Sequence, residues 1–429
     1  MTQKINQILI IADDLSGAAD CTAGAVRAGL LTQVSLGHAL AENAVAPQIQ
    51  VWSIDTDTRR LSPADAAKIN AEILSRCRKP GQLLYKKIDS TLRGNFAAEL
   101  LPMLARSEMA VVAPAFPDAG RSTRNGRQYV DGVALEETEI WRHEGISGIA
   151  DIQGMLCAQG IRTALLRLDQ VRAGHPRLRK NMEDCMAQGM QAVVCDAETN
   201  EDLQRIAQAS IALSPSIFWV GSAGLANQLP EAAGLIGHAQ PPGTGVNGVI
   251  LTAVGSMSAI SRQQMHHLSV SRAMMRIDIR TDMLSDGEHH RDWHKQQSRL
   301  GAAFENGDDV LLAISDARYL DIHQGWMLCQ ALARLVSPFS SCIGGMISTG
   351  GETTHALLSA FKSTGLHIIR EIQPGIPLSV TLGARTFPII SKAGAFGSAQ
   401  TLVYCYDVLH RMRAESTHGA NLKNEARTL

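Results

Sequence analysis

Ile8-Leu9-Ile10-Ile11-Ala12-Asp13-Asp14-Leu15-Ser16-Gly17-Ala18-Ala19-Asp20 joins an aliphatic run to two adjacent carboxylates and the start of a helical pattern. An unbroken aliphatic run of this length reads as a strand buried on both faces, the way strands of parallel sheets are built. Asp13 and Asp14 then stand at its carboxyl end, where open α/β sheets bind ligands. Ser16 is placed to cap the following helix, with Asp20 in its first turn beside the positive end of the dipole. The competing reading is an acidic βα loop that only starts a helix.

Outward from this stretch, a helix over 21–30 is followed by apolar strand patterns at 32–36, 49–55, 82–89, 109–116, 163–168, 191–195 and 217–221, interleaved with helical segments such as 96–104. A hairpin is expected through 128–133. The strongest shift toward Pro and Gly falls at 238–248 and reads as a linker, after which strands recur at 249–253, 275–279, 310–314, 345–348, 367–372 and 388–391. This alternation predicts an α/β protein of two domains, 1–237 and 249–415, each a mostly parallel sheet covered by helices. The active site is expected in the cleft between them, and a polar tail over 416–429 is expected to fray.

A chain of 429 residues is too long for one ordinary core. Lys+Arg 40 against Asp+Glu 41 gives a net charge of −1 with no basic stripe, which argues against nucleic acid or an anionic membrane as partner. No apolar run approaches the roughly 18 residues of a spanning helix, and Asp13 interrupts the N-terminal run too early for a signal peptide. The eight cysteines are scattered, as small buried hydrophobes of a reducing compartment are. A soluble cytoplasmic protein is the simplest reading. The pairs His266-His267 and His289-His290 lack the spacing of a metal cage. No repeat or heptad seam specifies an oligomer.

Chemistry gathers in the loops. In Asp55-Thr56-Asp57-Thr58-Arg59-Arg60 an Asp-x-Asp follows a strand, but Arg59 at the fifth position defeats a phosphatase reading. Arg59 is better suited to fork a ligand carboxylate, the alternative being a solvated arginine. In Lys86-Lys87-Ile88-Asp89-Ser90-Thr91-Leu92-Arg93-Gly94, two lysines, an aspartate, two hydroxyls and an arginine come in quick succession. That mixture suits a small polyhydroxylated anion, with cations fixing charge while Asp89 and Ser90 meet hydroxyls; a solvated loop end is the alternative. The Pro/Gly-punctuated loop over 113–123 offers Arg121 as a ligand contact. In the second half, three small-residue loops, Gly255-Ser256-Met257-Ser258, Thr349-Gly350-Gly351-Glu352-Thr353 and Lys392-Ala393-Gly394-Ala395-Phe396-Gly397, should converge on one sheet end. Bare N–H groups and hydroxyls at helix starts suit nucleotide phosphates, although no Walker A motif is present.

Ala12–Asp20, Asp55–Arg59, Lys87–Gly94, the 113–130 loop, 220–225 and the three glycine loops together resemble the four-carbon acid sugar kinases, in that family's order along nearly the whole chain. Ala393 and Ala395 depart from the Lys-Ser-Gly-Asn-Phe-Gly form of the last loop, which puts side-chain contacts to the nucleotide at those positions in doubt. The resemblance implies ATP-dependent phosphorylation of the 4-hydroxyl of D-threonate, D-erythronate or 3-oxo-tetronate, with D-threonate favoured. It assigns Asp14, Arg59, Lys87, Asp89, Ser90 and Arg93 to the sugar acid, and Ser256, Ser258, Gly350, Gly351, Glu352 and Gly394 to ATP.

In-line transfer follows as the expected chemistry, with Lys87 or Arg93 and a Mg²⁺ ion neutralising the transferring group. Asp14 is expected to accept the hydroxyl proton, with Asp89 as runner-up for that role. Asp13 is then a structural or metal-side partner. A sensor that clamps both ligands without chemistry is the reading from another class; two carboxylates beside an anion argue against it.

Overall fold

The structure, a computed structural model, describes residues 5–37, 45–144, 148–238, 245–256, 258–315, 322–394 and 396–425. It divides into two compact units, Met1–Gln240 and Pro241–Leu429. Residues 239–244 of the stretch read as a linker lie outside the described residues, as do Met257, Ala395 and the last four residues of the tail. The part of the tail up to Glu425 continues the terminal helix Thr401–Glu425.

The first unit contains β1 (Gln7–Ala12), β2 (Thr32–Leu36), β3 (Val51–Asp55), β4 (Gln82–Lys87), β5 (Met109–Ala113), β6 (Arg121–Arg124), β7 (Arg127–Val130), β8 (Val133–Ala134), β9 (Thr163–Leu166), β10 (Ala192–Cys195) and β11 (Ile217–Gly221). Its main sheet runs β2-β3-β1-β4-β11-β5-β10-β9, with every paired neighbour parallel. Alternation along each strand feeds two cores. Ile8 and Ile10 join Tyr85, Val111 and Trp219 on one face, while Leu9 and Ile11 join Trp52, Ile54, Val112 and Phe218 on the other. A sheet buried on both faces needs continuous apolar strands, which is why the opening run carries no polar alternation. β11 is wedged between β4 and β5, although it is made last of the three. β6, β7 and β8 form a separate antiparallel sheet. Its turns are Asn125-Gly126 and Asp131-Gly132, all four residues having positive φ as tight hairpin turns require.

The second unit contains β12 (Val249–Val254), β13 (Met275–Arg280), β14 (Val310–Ser315), β15 (Ile343–Thr349), β16 (Ser363–Gln373), β17 (Ile376–Gly383) and β18 (Pro388–Lys392). The order is β13-β14-β12-β15-β18-β17-β16. β17 is antiparallel to both neighbours and was not anticipated. Pro377, near its start, removes a ladder donor and weakens the strand signal there. Asp309 fastens the terminal helix to this sheet, accepting hydrogen bonds from Ile250 N, Tyr406 Oη and both terminal guanidinium nitrogens of Arg413.

Two local expectations fail. The segment expected as one helix over 21–30 is Leu15–Asp20 followed by Ala23–Arg27. The cap is Asp14, in extended conformation with its carboxylate accepting from Gly17 N, so Ser16 lies within the helix and Asp20 ends it. The eight cysteines are unpaired. No described helix is long and apolar enough to cross a membrane.

Candidate active site

β3, β1 and β4 are neighbours, and Ala12 is level with both Asp55 and Lys87, so three polar loops leave one edge of the first unit side by side. Arg59 is their hub. Its Nε donates to Asp13 Oδ2 at 2.7 Å, its Nη2 to Asp14 Oδ1 at 2.6 Å, and its Nη1 lies 3.4 Å from Asp89 Oδ2. The fork expected to hold a ligand carboxylate therefore holds three of the protein's own. Lys87 Nζ approaches Asp14 Oδ1 at 3.4 Å and Asp13 Oδ1 at 3.6 Å. It fits there because residue 17 is glycine: a Cβ at Gly17 would lie 1.9 Å from that nitrogen.

The three aspartates differ in what they leave free. Asp13 is buried; burial alone would raise its pKa, but Arg59 and Lys87 outweigh that and hold it down at about 2. Asp89 accepts from Thr91 N and Thr91 Oγ1 on one oxygen and from Arg93 Nε and Nη2 on the other. Burial would raise it too, yet Arg93, Arg59 and Lys87 keep it well below the usual carboxylate range. Asp14 is the open one. Its Oδ1 receives Gly17 N, Arg59 and Lys87, its Oδ2 has no hydrogen-bond partner among the described residues, and its side chain is 21% exposed.

The remaining expected residues lie at the same edge. Ser90 is half-buried, and its carbonyl accepts from Gln128 Nε2, which seats the β6–β7 hairpin on this loop. Arg93 also reaches Glu144 at 3.4 Å. Arg121 donates to the Ala119 carbonyl and has no carboxylate within ion-pair distance among the described residues; its buried Nε is unpaired. Burial lowers its pKa, and Asp131, Asp89 and Arg93 are the charges that act on it.

A supporting layer was not anticipated. Lys86, alternating with Lys87 to the opposite face, forms a fully buried pair with Glu99 at 2.8 Å. Thr58 Oγ1 donates to the other oxygen of Glu99, and Thr56 Oγ1 donates to the Ala12 carbonyl at 2.8 Å. The loop carrying Arg59 is thus tied to the helix Phe96–Leu104 and to β1. The signal existed in sequence: of two adjacent strand lysines one must face inward, and a buried lysine needs a carboxylate. At the end of β3, burial, then the charge of Asp57, pushes Asp55 well above its ordinary value.

In the second unit β12, β15 and β18 are adjacent, and Val254, Thr349 and Lys392 end level. Their loops meet. Gly350 N donates to the Lys392 carbonyl at 2.9 Å, and Ser258 Oγ and Ser261 Oγ donate to the Gly394 carbonyl at 2.9 and 2.7 Å. A Cβ at Gly394 would fall 2.0 Å from Ser256 Oγ, and one at Gly350, whose φ is 96°, would lie 3.8 Å from Ser256 N. Gly350 is also the N-cap of Gly351–Ala360, with Glu352 in its first turn. Bare amides, hydroxyls and a helix start therefore gather at one edge with no bulky side chain from the glycines, the arrangement that anionic oxygens favour. Lys392 is buried beside it, its Nζ donating to Gly394 O at 3.2 Å, and burial lowers the ammonium pKa to about 8. Among the described residues no group of three His, Cys, Asp or Glu side chains gathers as a metal cage.

Comparisons with known proteins agree on both halves. A profile described as a sugar-binding N-terminal domain matches residues 8–229, and one described as a nucleotide-binding C-terminal domain matches 251–402. The chain is 42% identical to a D-threonate kinase of Cupriavidus necator over 412 residues, covering 95% of this chain and 99% of that one. It is 33% identical to a D-threonate kinase of Bordetella bronchiseptica, covering 94% and 98%. A solved structure from Salmonella typhimurium LT2 superposes with a TM-score of 0.79 at 21% identity, covering 93% of this chain and 98% of that one, a likeness of fold.

Proposed function

The chain belongs to the four-carbon acid sugar kinase family, and from that premise we propose that it transfers the γ-phosphoryl group of ATP to the 4-hydroxyl of a four-carbon sugar acid, D-threonate foremost. The acid binds at the β1–β3–β4 edge and ATP in the Ser256–Gly350–Gly394 cradle. Such transfers have loose transition states, so positioning and charge stabilisation carry most of the catalysis.

One observation carries the reading: Asp14 offers an unbonded oxygen at the mouth of a cationic cluster, while its other oxygen is fixed by Arg59, Lys87 and Gly17 N. A carboxylate so oriented can accept the 4-hydroxyl proton as the phosphoryl group arrives. Asp89 has both oxygens committed and is held strongly acidic, which demotes it from alternative base to the anchor that orients Arg93. Lys87 and Arg93 face the transferring group. Ser90 meets a hydroxyl, and Arg59 acts on the acid through Asp14. Arg121, without a carboxylate of its own, is the cation available to the substrate's carboxylate. Ser256, Ser258, Gly350, Gly351 and Gly394 hold the phosphates, with Glu352 at the first turn of the helix. Magnesium would enter with the phosphates. Eight unpaired cysteines support a reducing, cytoplasmic setting.

The test is a coupled ADP assay over D-threonate, D-erythronate and 3-oxo-tetronate. ADP release that depends on D-threonate supports the reading, and a higher kcat/KM for either other acid transfers the assignment to it. No release with any acid, although acid and ATP both bind, leaves a sensor.

A further inference from the structure

We propose that Lys392 is the cation that binds the phosphates of the nucleotide in the second unit, an inference that rests on the assignment of ATP to that cradle. Lys392 closes β18, level with Thr349 at the end of β15. The residue is 2% exposed, and no carboxylate lies within ion-pair distance of its ammonium among the described residues. Every other buried lysine described has such a partner: Lys86 has Glu99, and Lys87 has Asp13 and Asp14.

The hydrogen bonds point the same way. An ammonium has three donors, and among the described residues this one has a single acceptor, Gly394 O, which Ser258 Oγ and Ser261 Oγ also use. A carbonyl has two lone pairs, so three donors share less than they can use. Next to Lys392, Thr349 Oγ1 is buried without a hydrogen-bond partner among the described residues. A buried ammonium and a buried hydroxyl, both short of acceptors, stand beside a neutral cradle of glycines and serines. An anion placed there relieves both deficits. The cost of burying the unpaired ammonium appears as its lowered pKa, about 8, and an arriving phosphate must raise that value again.

The direction of the linkage follows. Above about pH 8 the free protein holds Lys392 partly neutral, and binding of a fully ionised nucleotide draws a proton back onto it. Nucleotide affinity should therefore fall as pH rises from 7 to 9.

Isothermal titration of the full chain with ADP and with adenosine tests this. At pH 8.5, in buffers of differing ionisation enthalpy, the wild-type protein should take up a fraction of a proton with ADP and none with adenosine. Lys392→Met should weaken ADP by about 10- to 100-fold, the loss of one charge-assisted hydrogen bond, while adenosine binds as in the wild type and the proton uptake disappears. Unchanged ADP affinity in Lys392→Met, or no proton uptake by the wild-type protein at pH 8.5, overturns the assignment of Lys392 alone. A wild-type protein that binds adenosine and ADP equally well overturns it too, together with the phosphate cradle. The wild-type proton measurement stands even if the variant folds poorly.

Discussion

Asp13, Asp14 and Asp89 lie within reach of one guanidinium, yet Asp14 alone is partly exposed, Asp13 Oδ1 being unpaired but buried and Asp89 having both oxygens bonded, and that difference divides their roles. Asp14→Asn should lower kcat by about 10²- to 10⁴-fold with little change in the KM for the acid, as the loss of a proton acceptor does. Steady-state kinetics at saturating ATP decide it; a near wild-type kcat removes Asp14 from the chemistry. Arg59→Ala should do more than weaken substrate binding, because it leaves buried carboxylates unpaired; a loss of about 3–5 kcal/mol in unfolding free energy is expected by denaturant titration. The pH dependence has a definite sign. Asp13 and Asp89 are more acidic folded than unfolded, so their contribution is complete above the ordinary carboxylate pKa; that of Asp13 is lost as pH falls toward about 2, and that of Asp89 at still lower pH. Acid unfolding followed by circular dichroism should begin at higher pH in Arg59→Ala than in the wild type. At this scale the sequence disclosed which residues gather, since Asp14, Arg59, Lys87, Asp89, Ser90 and Arg93 all come to one edge. Which way each faces was hidden. Arg59 turns inward because three carboxylates from two other loops meet it, and spacing along the chain does not encode that encounter.

Among elements, the helix Leu15–Asp20 begins on the same carboxylate that is proposed to take the proton. Asn caps helices about as well as Asp, so Asp14→Asn keeps the cap although it removes the charge facing Arg59 and Lys87, whereas Asp14→Ala should also cost about 0.5–2 kcal/mol of stability through the lost cap. The helix Phe96–Leu104 sits on β4 through Lys86 and Glu99, which also brace Thr58 and hence the Arg59 loop. Lys86→Met alone should destabilise by about 3–5 kcal/mol and raise the KM for the acid. In the double variant Lys86→Met with Glu99→Leu, most of the stability should return, because an apolar pair of similar size replaces the ions. Thermal melts of the three proteins check this. Strand positions were legible because apolar runs in a doubly covered parallel sheet are continuous. The cap was misassigned to Ser16 because the turn after β1 is shorter than a serine cap would need, and β17 was missed because Pro377 resembles a strand breaker.

Across the molecule, the two edges proposed for the ligands, one in each unit, are built on the same plan, three adjacent parallel strands ending level. Hydrogen exchange should therefore resolve them. A sugar acid should protect the loops around Asp13–Gly17, Thr58–Arg59 and Ile88–Gly94, and ADP those around Ser256, Gly350–Thr353 and Lys392–Gly394. Protection of the first set by ADP alone would exchange the assignments. The slot that β11 fills between β4 and β5 bears on how the first unit is made. Its filling strand leaves the ribosome about 100 residues after β5 is complete. At about 5–20 residues per second that is a wait of roughly 5–20 s, during which two apolar strands have a missing neighbour. Nascent chains stalled before residue 217 should thus be cut readily by protease and held by chaperones, and chains stalled well beyond 240 should not.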